Sequence, residues 1–350
     1  MYSRTCTPQK CDALEGTNPR LRSHLRNGDL EQRQRQETRV LDAMFVAGGL
    51  VGLYFGAEWL LRGAVALSMR LAIPTLIVSL VIVGFGTSMP ELLVSIRAAL
   101  AGSPDIALGN VIGSNTANIL LIIGVCALIF PITHWDSNVR HDALVMVGAS
   151  VLLLALVQFE AIGRLAGLLM VVLLITYLLY TYRMSKTRAE ALSQDIVQQK
   201  KLKPAMIALL ILGGLATLFV GAELLIRGAT NLARYFGISE AVIGLTVVAV
   251  GTSLPELATG IMSAMKRHSD IMIGNVVGSN IFNILFILGV TSLLHPIGVD
   301  QRFGWFDVPI MLLVTLGLAG FLFSKMGITR IAAGAMLAGY AGYTVLLVQV

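Results

Sequence analysis

Two short stretches set a proline and a glutamate side by side within runs otherwise apolar enough to cross a membrane: GTSMPEL at 86–92 and GTSLPEL at 251–257. An ionisable side chain in mid-span costs about 2.5–3.5 kcal/mol on insertion scales, so Glu91 and Glu256 are expected to face a cavity or a partner. Pro90 and Pro255 have no N–H for the carbonyl four residues back, and their rings crowd it. That frees the carbonyls of Gly86 and Gly251 and weakens the bonds to those of Thr87 and Thr252. Hydrocarbon tolerates free carbonyls only if something binds them. Thr87 and Ser88 share a helical face with Glu91, as Thr252 and Ser253 do with Glu256. Each stretch therefore supplies a carboxylate, loosened carbonyls and hydroxyls. Hard cations take such a set: Ca²⁺ accepts about 6–8 oxygens in irregular geometry, and two bidentate glutamates with two carbonyls would already give about six. The lack of His and Cys in these segments argues against zinc or copper.

The next apolar run adds a polar stripe. Asn110, Ser114 and Asn118 recur at every fourth position, as do Asn275, Ser279 and Asn283 further on. One helical face then carries amides and hydroxyls that can line the same cavity. Plain interhelical hydrogen bonding is the alternative for any one of them. Asn115 and Asn280 lie off the stripe and are read that way. Gly109, Gly113, Gly274 and Gly278 allow close helix approach.

These matches are part of a larger repeat. Residues 56–125 and 221–290 align without a gap at an offset of 165, with 33 identities in 70 positions. That density establishes duplication.

The elements that carry the repeat are membrane spans. Of the 350 residues 56% are hydrophobic and only 13% charged, with a mean hydropathy of +0.79. Soluble domains carry about 25% charged residues. The apolar residues fall in blocks of about twenty, the length that spans hydrocarbon. Ten spans are expected, at roughly 44–68, 74–100, 105–130, 143–158, 162–182, 204–232, 239–264, 271–294, 307–324 and 328–349. The fold class is all-α: a polytopic membrane protein of about ten transmembrane helices in two five-helix repeats. Five is odd, so the second copy enters the membrane inverted, the architecture of secondary transporters with a midplane site between the copies.

The net charge of +6 concerns orientation rather than nucleic acid. Between Arg183 and Lys203 stand Arg188, Lys186, Lys200 and Lys201 against only Glu190 and Asp195. The positive-inside rule makes this loop cytoplasmic and puts both ends of the helical core outside. The expected division is 1–42 a polar tail, 43–183 the first repeat, 184–203 the basic loop, and 204–350 the second repeat. Residues 1–42 are polar and lack the apolar core of a signal peptide. Two readings fit them: a disordered tail, or upstream sequence with the native start at Met44 or Val40, the second favoured. Cys6 and Cys11 lie in that tail and Cys126 in a span, so cysteines say nothing of redox compartment.

In these residues the chain resembles the cation/Ca²⁺ exchanger superfamily, whose two alpha-repeats look like GTSMPE with GNVIGSNTAN and GTSLPE with GNVVGSNIFN. The resemblance covers 44–350 and is nearest the prokaryotic sodium/calcium exchanger branch, which implies a prokaryotic cytoplasmic (inner) membrane. It implies that Glu91 and Glu256 ligate Ca²⁺ with the carbonyls of Thr87 and Thr252. Ser88, Ser253, Ser114 and Ser279 would help bind Na⁺, flanked by the carbonyls of Gly84 and Ala249. Asn118 and Asn283 would complete the central site. The first and sixth spans would slide across the rest to alternate access. One departure stands out: some sodium/calcium exchangers carry Asp where this chain has Asn283. The site charge is then −2, matched by one Ca²⁺ or two Na⁺. The Gly-Asn-Ala-x-Glu pattern of vacuolar cation/proton exchangers does not occur.

The expected function is antiport of Ca²⁺ against Na⁺ through one midplane site, with both ions as cargo and no cofactor. An H⁺-coupled divalent cation antiporter is the alternative, and a passive cation channel ranks lower. No HExxH motif or Ser/His pair lies in the spans, which argues against an intramembrane enzyme. The lipid bilayer is the surrounding partner, and the residues name no protein partner. Glu58 with Arg62 and Glu223 with Arg227 read as intrahelical pairs first and as gate elements second. Asp105 and Asp270 read as helix caps first and as vestibule charges second. His134, His141, His268 and His295 are expected in loops without ligand spacing.

Overall fold

The computed structural model describes residues 19–71, 73–135, 139–192, 202–237, 249–324 and 326–349. The first helix, α1 (Pro19–Leu71), is 53 residues long, and its apolar part spans Arg39–Leu71. It continues without a break through the polar residues ahead of Met44. The second span is broken: α2 (Thr75–Thr87) and α3 (Met89–Leu100) meet at an angle of 42°. Next come α4 (Pro104–Ile129), α5 (Val139–Leu156), the two-residue strand β1 (Ala161–Ile162) and α6 (Arg164–Leu192).

The second copy follows the same order: α7 (Pro204–Tyr235), the short α8 (Ala249–Gly251), α9 (Leu254–Met265) and α10 (Ser269–Leu294). After β2 (Ile297–Gly298) come α11 (Phe303–Ser324) and α12 (Arg330–Gln349). Among the described residues eight helices and one bent pair are long and apolar enough to cross a membrane. The remaining expected span, 239–264, falls partly on residues outside those described.

Proline sets each break. Ser88, just ahead of Pro90, has φ −82° and ψ 6°, and Ser253, ahead of Pro255, has φ −89° and ψ 8°. Both are off helical values at the place where the missing N–H interrupts the ladder.

The copies interlock about a pseudo-twofold axis, and glycine permits it. On α1 and α7 a Cβ at Gly49 would come within 2.7 Å of the Gly221 carbonyl, and one at Gly56 within 2.9 Å of the Gly214 carbonyl. Gly49 and Gly214 are repeat mates, as are Gly56 and Gly221. Each mate therefore packs on the other's counterpart, and the two helices run antiparallel. In a membrane no apolar gain favours helix contact over lipid, so such small-residue seams supply the packing. Loops repeat the symmetry: Ile162 pairs with Ile297 in the β1–β2 ribbon, while an isolated bridge joins Ile132 to Ile328. Position 132 is the mate of 297. These exchanges confirm the inversion expected from five spans per copy.

The centre of the molecule is α10, 94% buried over its most apolar stretch, against 28% for α1, α6 and α7. Outer helices face lipid and the alpha-repeat helices face one another. The Asp105 and Asp270 expectation needs correcting: Ser103 and His268 hold the cap positions, and each aspartate sits within the first helical turn. There it still meets the positive end of the helix dipole. His141 also departs from expectation, lying in α5 against Tyr180.

Candidate cation site

At the two breaks, Glu91 and Glu256 are each 1% exposed. The first residues of α3 and α9 carry them, aimed across the pseudo-twofold axis at the other copy. Ser88 Oγ donates to Glu256 Oε1 at 3.2 Å, and Ser253 Oγ donates to Glu91 Oε1 at 3.4 Å. Each hydroxyl supports the glutamate of the opposite repeat, so the two carboxylates belong to one site. A linear sequence carries no signal for this exchange.

The asparagines of α4 and α10 are held in a matching quartet. Asn118 Nδ2 donates to Asn280 Oδ1 at 2.9 Å, and Asn283 Nδ2 donates to Asn115 Oδ1 at 2.9 Å. Asn115 and Asn280 in turn donate to each other's backbone carbonyls at 3.5 and 3.4 Å. The interhelical role expected of these two is therefore correct, and they add a second one. By occupying the amino groups of Asn118 and Asn283, they decide which way those amides point. What remains is acceptor oxygen.

At this site four buried oxygens then have no hydrogen-bond partner: Glu91 Oε2, Glu256 Oε2, Asn118 Oδ1 and Asn283 Oδ1. They form two twofold-related pairs, and the donors that could have satisfied them are spent elsewhere. A buried acceptor left unmatched costs about 1–3 kcal/mol, more when charged. An all-oxygen cluster of charge −2 is what a hard cation would satisfy.

The other expected ligands divide. Thr87 Oγ1 donates to the Val83 carbonyl at 3.0 Å, leaving its own carbonyl as the contribution to weigh. Ser279 Oγ lies 3.3 Å from the Gly84 carbonyl, bringing two of the expected Na⁺ ligands together. Gly84 is required there, since a Cβ would meet Ser279 N at 2.9 Å. Ser114 Oγ donates to the Asn110 carbonyl at 2.5 Å and accepts from Asn283 Nδ2 at 3.4 Å. Thr252 lines the cavity described below. Ala249 opens α8, five residues ahead of α9.

Asn110 and Asn275 brace the site from behind its glutamates. Asn110 Nδ2 donates to the Glu91 carbonyl and to Ser95 Oγ, while Asn275 Nδ2 donates to the Glu256 carbonyl and to Thr259 Oγ1. Sequence reasoning also missed four π-helical turns among the described residues, at Ser79–Gly84, Asn118–Ile123, Asn283–Leu288 and Phe303–Asp307. Two begin at the site asparagines, as such bulges often do at functional positions.

A cavity of about 510 Å³ approaches from the N-terminal end of α4, with Asp105, Asn110, Ser114, Thr252, Arg302 and Asp307 among its walls. At the other side of the site Asn275, mate of Asn110, is only 1% exposed. On that side a pocket of about 430 Å³ lies at the N-terminal end of α10, with His134, Arg267, His268 and Asp270 among its walls and none of the expected site residues. There Glu58 of α1, 8% exposed, pairs with Arg62 at 2.5 Å and also with Lys266 at the end of α9. Its mate Glu223 pairs with Arg227 alone among the described ion pairs and stays exposed.

An inverted pair of five-helix repeats around a buried, charged oxygen cluster defines a polytopic integral membrane protein of the transporter type. Residues 42–183 and 206–349 match the sodium/calcium exchanger protein family, one block per repeat, and the chain belongs to that family. It is 36% identical over 275 residues to inner membrane protein YrbG of Escherichia coli, covering 77% of this chain and 84% of that protein. Sodium/calcium exchanger MaX1 of Methanosarcina acetivorans is 29% identical over 338 residues, 85% of this chain and 96% of its own length. Among solved structures, the sodium-calcium exchanger NCX_Mj superimposes with a TM-score of 0.76 at 29% identity, covering 88% of this chain and 99% of that one. The prokaryotic branch expected from the motifs is the one these similarities support.

Proposed function

We propose that this protein is a secondary-active antiporter that exchanges Ca²⁺ for Na⁺ by alternating access at a single midplane site. The four unpartnered oxygens of Glu91, Glu256, Asn118 and Asn283 carry this reading. Carbonyls of Thr87 and Thr252 extend the set toward the coordination number Ca²⁺ takes. Ser88, Ser253, Ser114 and Ser279, with the carbonyls of Gly84 and Ala249, supply flanking positions for Na⁺. Kinship with sodium/calcium exchangers supports both ions as cargo.

Coupling follows from charge. A loaded site is near neutral with one Ca²⁺ or two Na⁺, whereas the bare −2 site faces a large cost on passing apolar gates. Only the loaded protein crosses, so the ions exchange rather than leak. The cavity on the α4 side, which reaches Ser114 and Thr252, supports an access state open in that direction. By the positive-inside rule applied to 184–203, that direction is outward.

The test is Ca²⁺ uptake by proteoliposomes of purified protein loaded with Na⁺. Uptake driven by the outward Na⁺ gradient is expected. Uptake driven equally by a pH gradient without Na⁺ would replace Na⁺ with H⁺. Flux that no counter-gradient drives uphill would make the protein a passive pore.

A further inference from the structure

The access cavity holds a charge pair that the exchange site does not need. Asp307, in the first turns of α11, is 3% exposed, and Arg302 Nε reaches its Oδ2 at 3.1 Å. Both side chains line the cavity that leads to Ser114 and Thr252, together with Asp105. A guanidinium in a cation path is an obstacle unless it serves that path. Its surroundings show how: Asp307 is fixed and buried, while the Arg302 side chain is 36% exposed, on an arm free to swing out.

We propose that Asp307 is an access-path carboxylate for the cations exchanged, and that Arg302 is its tethered competitor, setting apparent Ca²⁺ affinity from this side. An arriving Ca²⁺ takes the place of the guanidinium on Asp307, and Arg302 returns once the ion moves inward. With Arg302 present the cavity's three charged groups sum to −1, enough to attract a cation. Without it they sum to −2, and the ion is held on the way. Because no bond is made or broken, the pair acts through charge alone.

This inference rests on the exchange reading, and its test separates the two. Ca²⁺ dependence of Na⁺-driven uptake is measured in membrane vesicles of both orientations for wild type, Arg302→Gln, Arg302→Lys, Asp307→Asn and the double variant Arg302→Gln/Asp307→Asn. Wild-type uptake tests the exchange reading by itself. From the cavity side, Arg302→Gln should tighten apparent Ca²⁺ affinity about threefold and Asp307→Asn weaken it about threefold. That is the effect of one unit charge on a divalent ion roughly 15 Å away across a hydrated cavity. Arg302→Lys and the double variant, which keep the net charge, should stay near wild type, and affinity from the opposite side should not move. A pair that merely holds α11 in place would give single variants shifted in the same direction, or equally from both sides. Either result, or no shift at all, overturns the proposal.

Discussion

Replacing Glu256 by glutamine changes charge at the site with little change of shape. Ser88 keeps its acceptor, because the amide oxygen can stand where Oε1 accepts at 3.2 Å. The new amino group occupies the position of Oε2, an atom buried without a partner. Folding should survive, since one of two buried carboxylates becomes neutral. Cation binding should not. Removing one member of a buried charged pair costs about 3–5 kcal/mol, which is two orders of magnitude or more in Kd. Thermal unfolding reads this directly. Ca²⁺ at about 100 times the wild-type Kd stabilises the folded state by about 2.7 kcal/mol. After a hundredfold loss of affinity the same concentration gives about 0.4 kcal/mol by the same relation. The Ca²⁺-dependent rise in melting temperature should therefore nearly vanish, while the Ca²⁺-free protein melts no lower than wild type. Ca²⁺ uptake should fall to the level of empty liposomes. A Ca²⁺ stabilisation and uptake within threefold of wild type would refute Glu256 as a ligand, and with it the twofold site.

Asn115→Ala should act through Asn283, whose Nδ2 loses its 2.9 Å acceptor; an unmatched buried donor costs about 1–3 kcal/mol, so apparent Ca²⁺ affinity should drop about tenfold, with Asn115→Gln intermediate, both read by Ca²⁺-dependent melting. Asn283→Asp adds a third carboxylate, and the reversal potential of exchange should then shift toward more Na⁺ per Ca²⁺. Gly221→Val pushes side-chain atoms into the α1 backbone, where even a Cβ would lie 2.8 Å from Leu53 N; overpacking of this kind costs about 1–3 kcal/mol, and lower detergent stability with reduced turnover is expected, measured by melting and initial rate.

The parts of this protein legible in the sequence are those a single repeat encodes by itself. Apolar length gave the spans, proline gave the breaks at Ser88 and Ser253, and an offset of 165 residues gave two copies whose odd span count required inversion. Glu91 and Glu256 stood out because hydrocarbon makes a carboxylate expensive at that depth. What stayed hidden depends on both copies at once. Asn115 looked like interhelical glue because the stripe through Asn110, Ser114 and Asn118 ran past it; only the folded pair shows it holding the amide of Asn283. Asn110, expected to line the cavity, does so and also braces the Glu91 backbone, a bond no pattern in the stripe announces. Arg302 and Asp307 went unread because they lie beyond the 70 aligned positions, in a stretch with no repeated motif to mark it. Duplication thus has two consequences. It writes each half-site twice, which makes the ligands easy to find, and it sends the bonds that orient their carboxylates and amides across the twofold axis, where no local pattern can show them. The same division explains why one change at Asn115 should be felt at a cation site it never touches: the quartet of amides is a single hydrogen-bonded unit, and an unmatched group within it lets the amide of Asn283 turn and withdraw an oxygen that the cation would otherwise have had to itself.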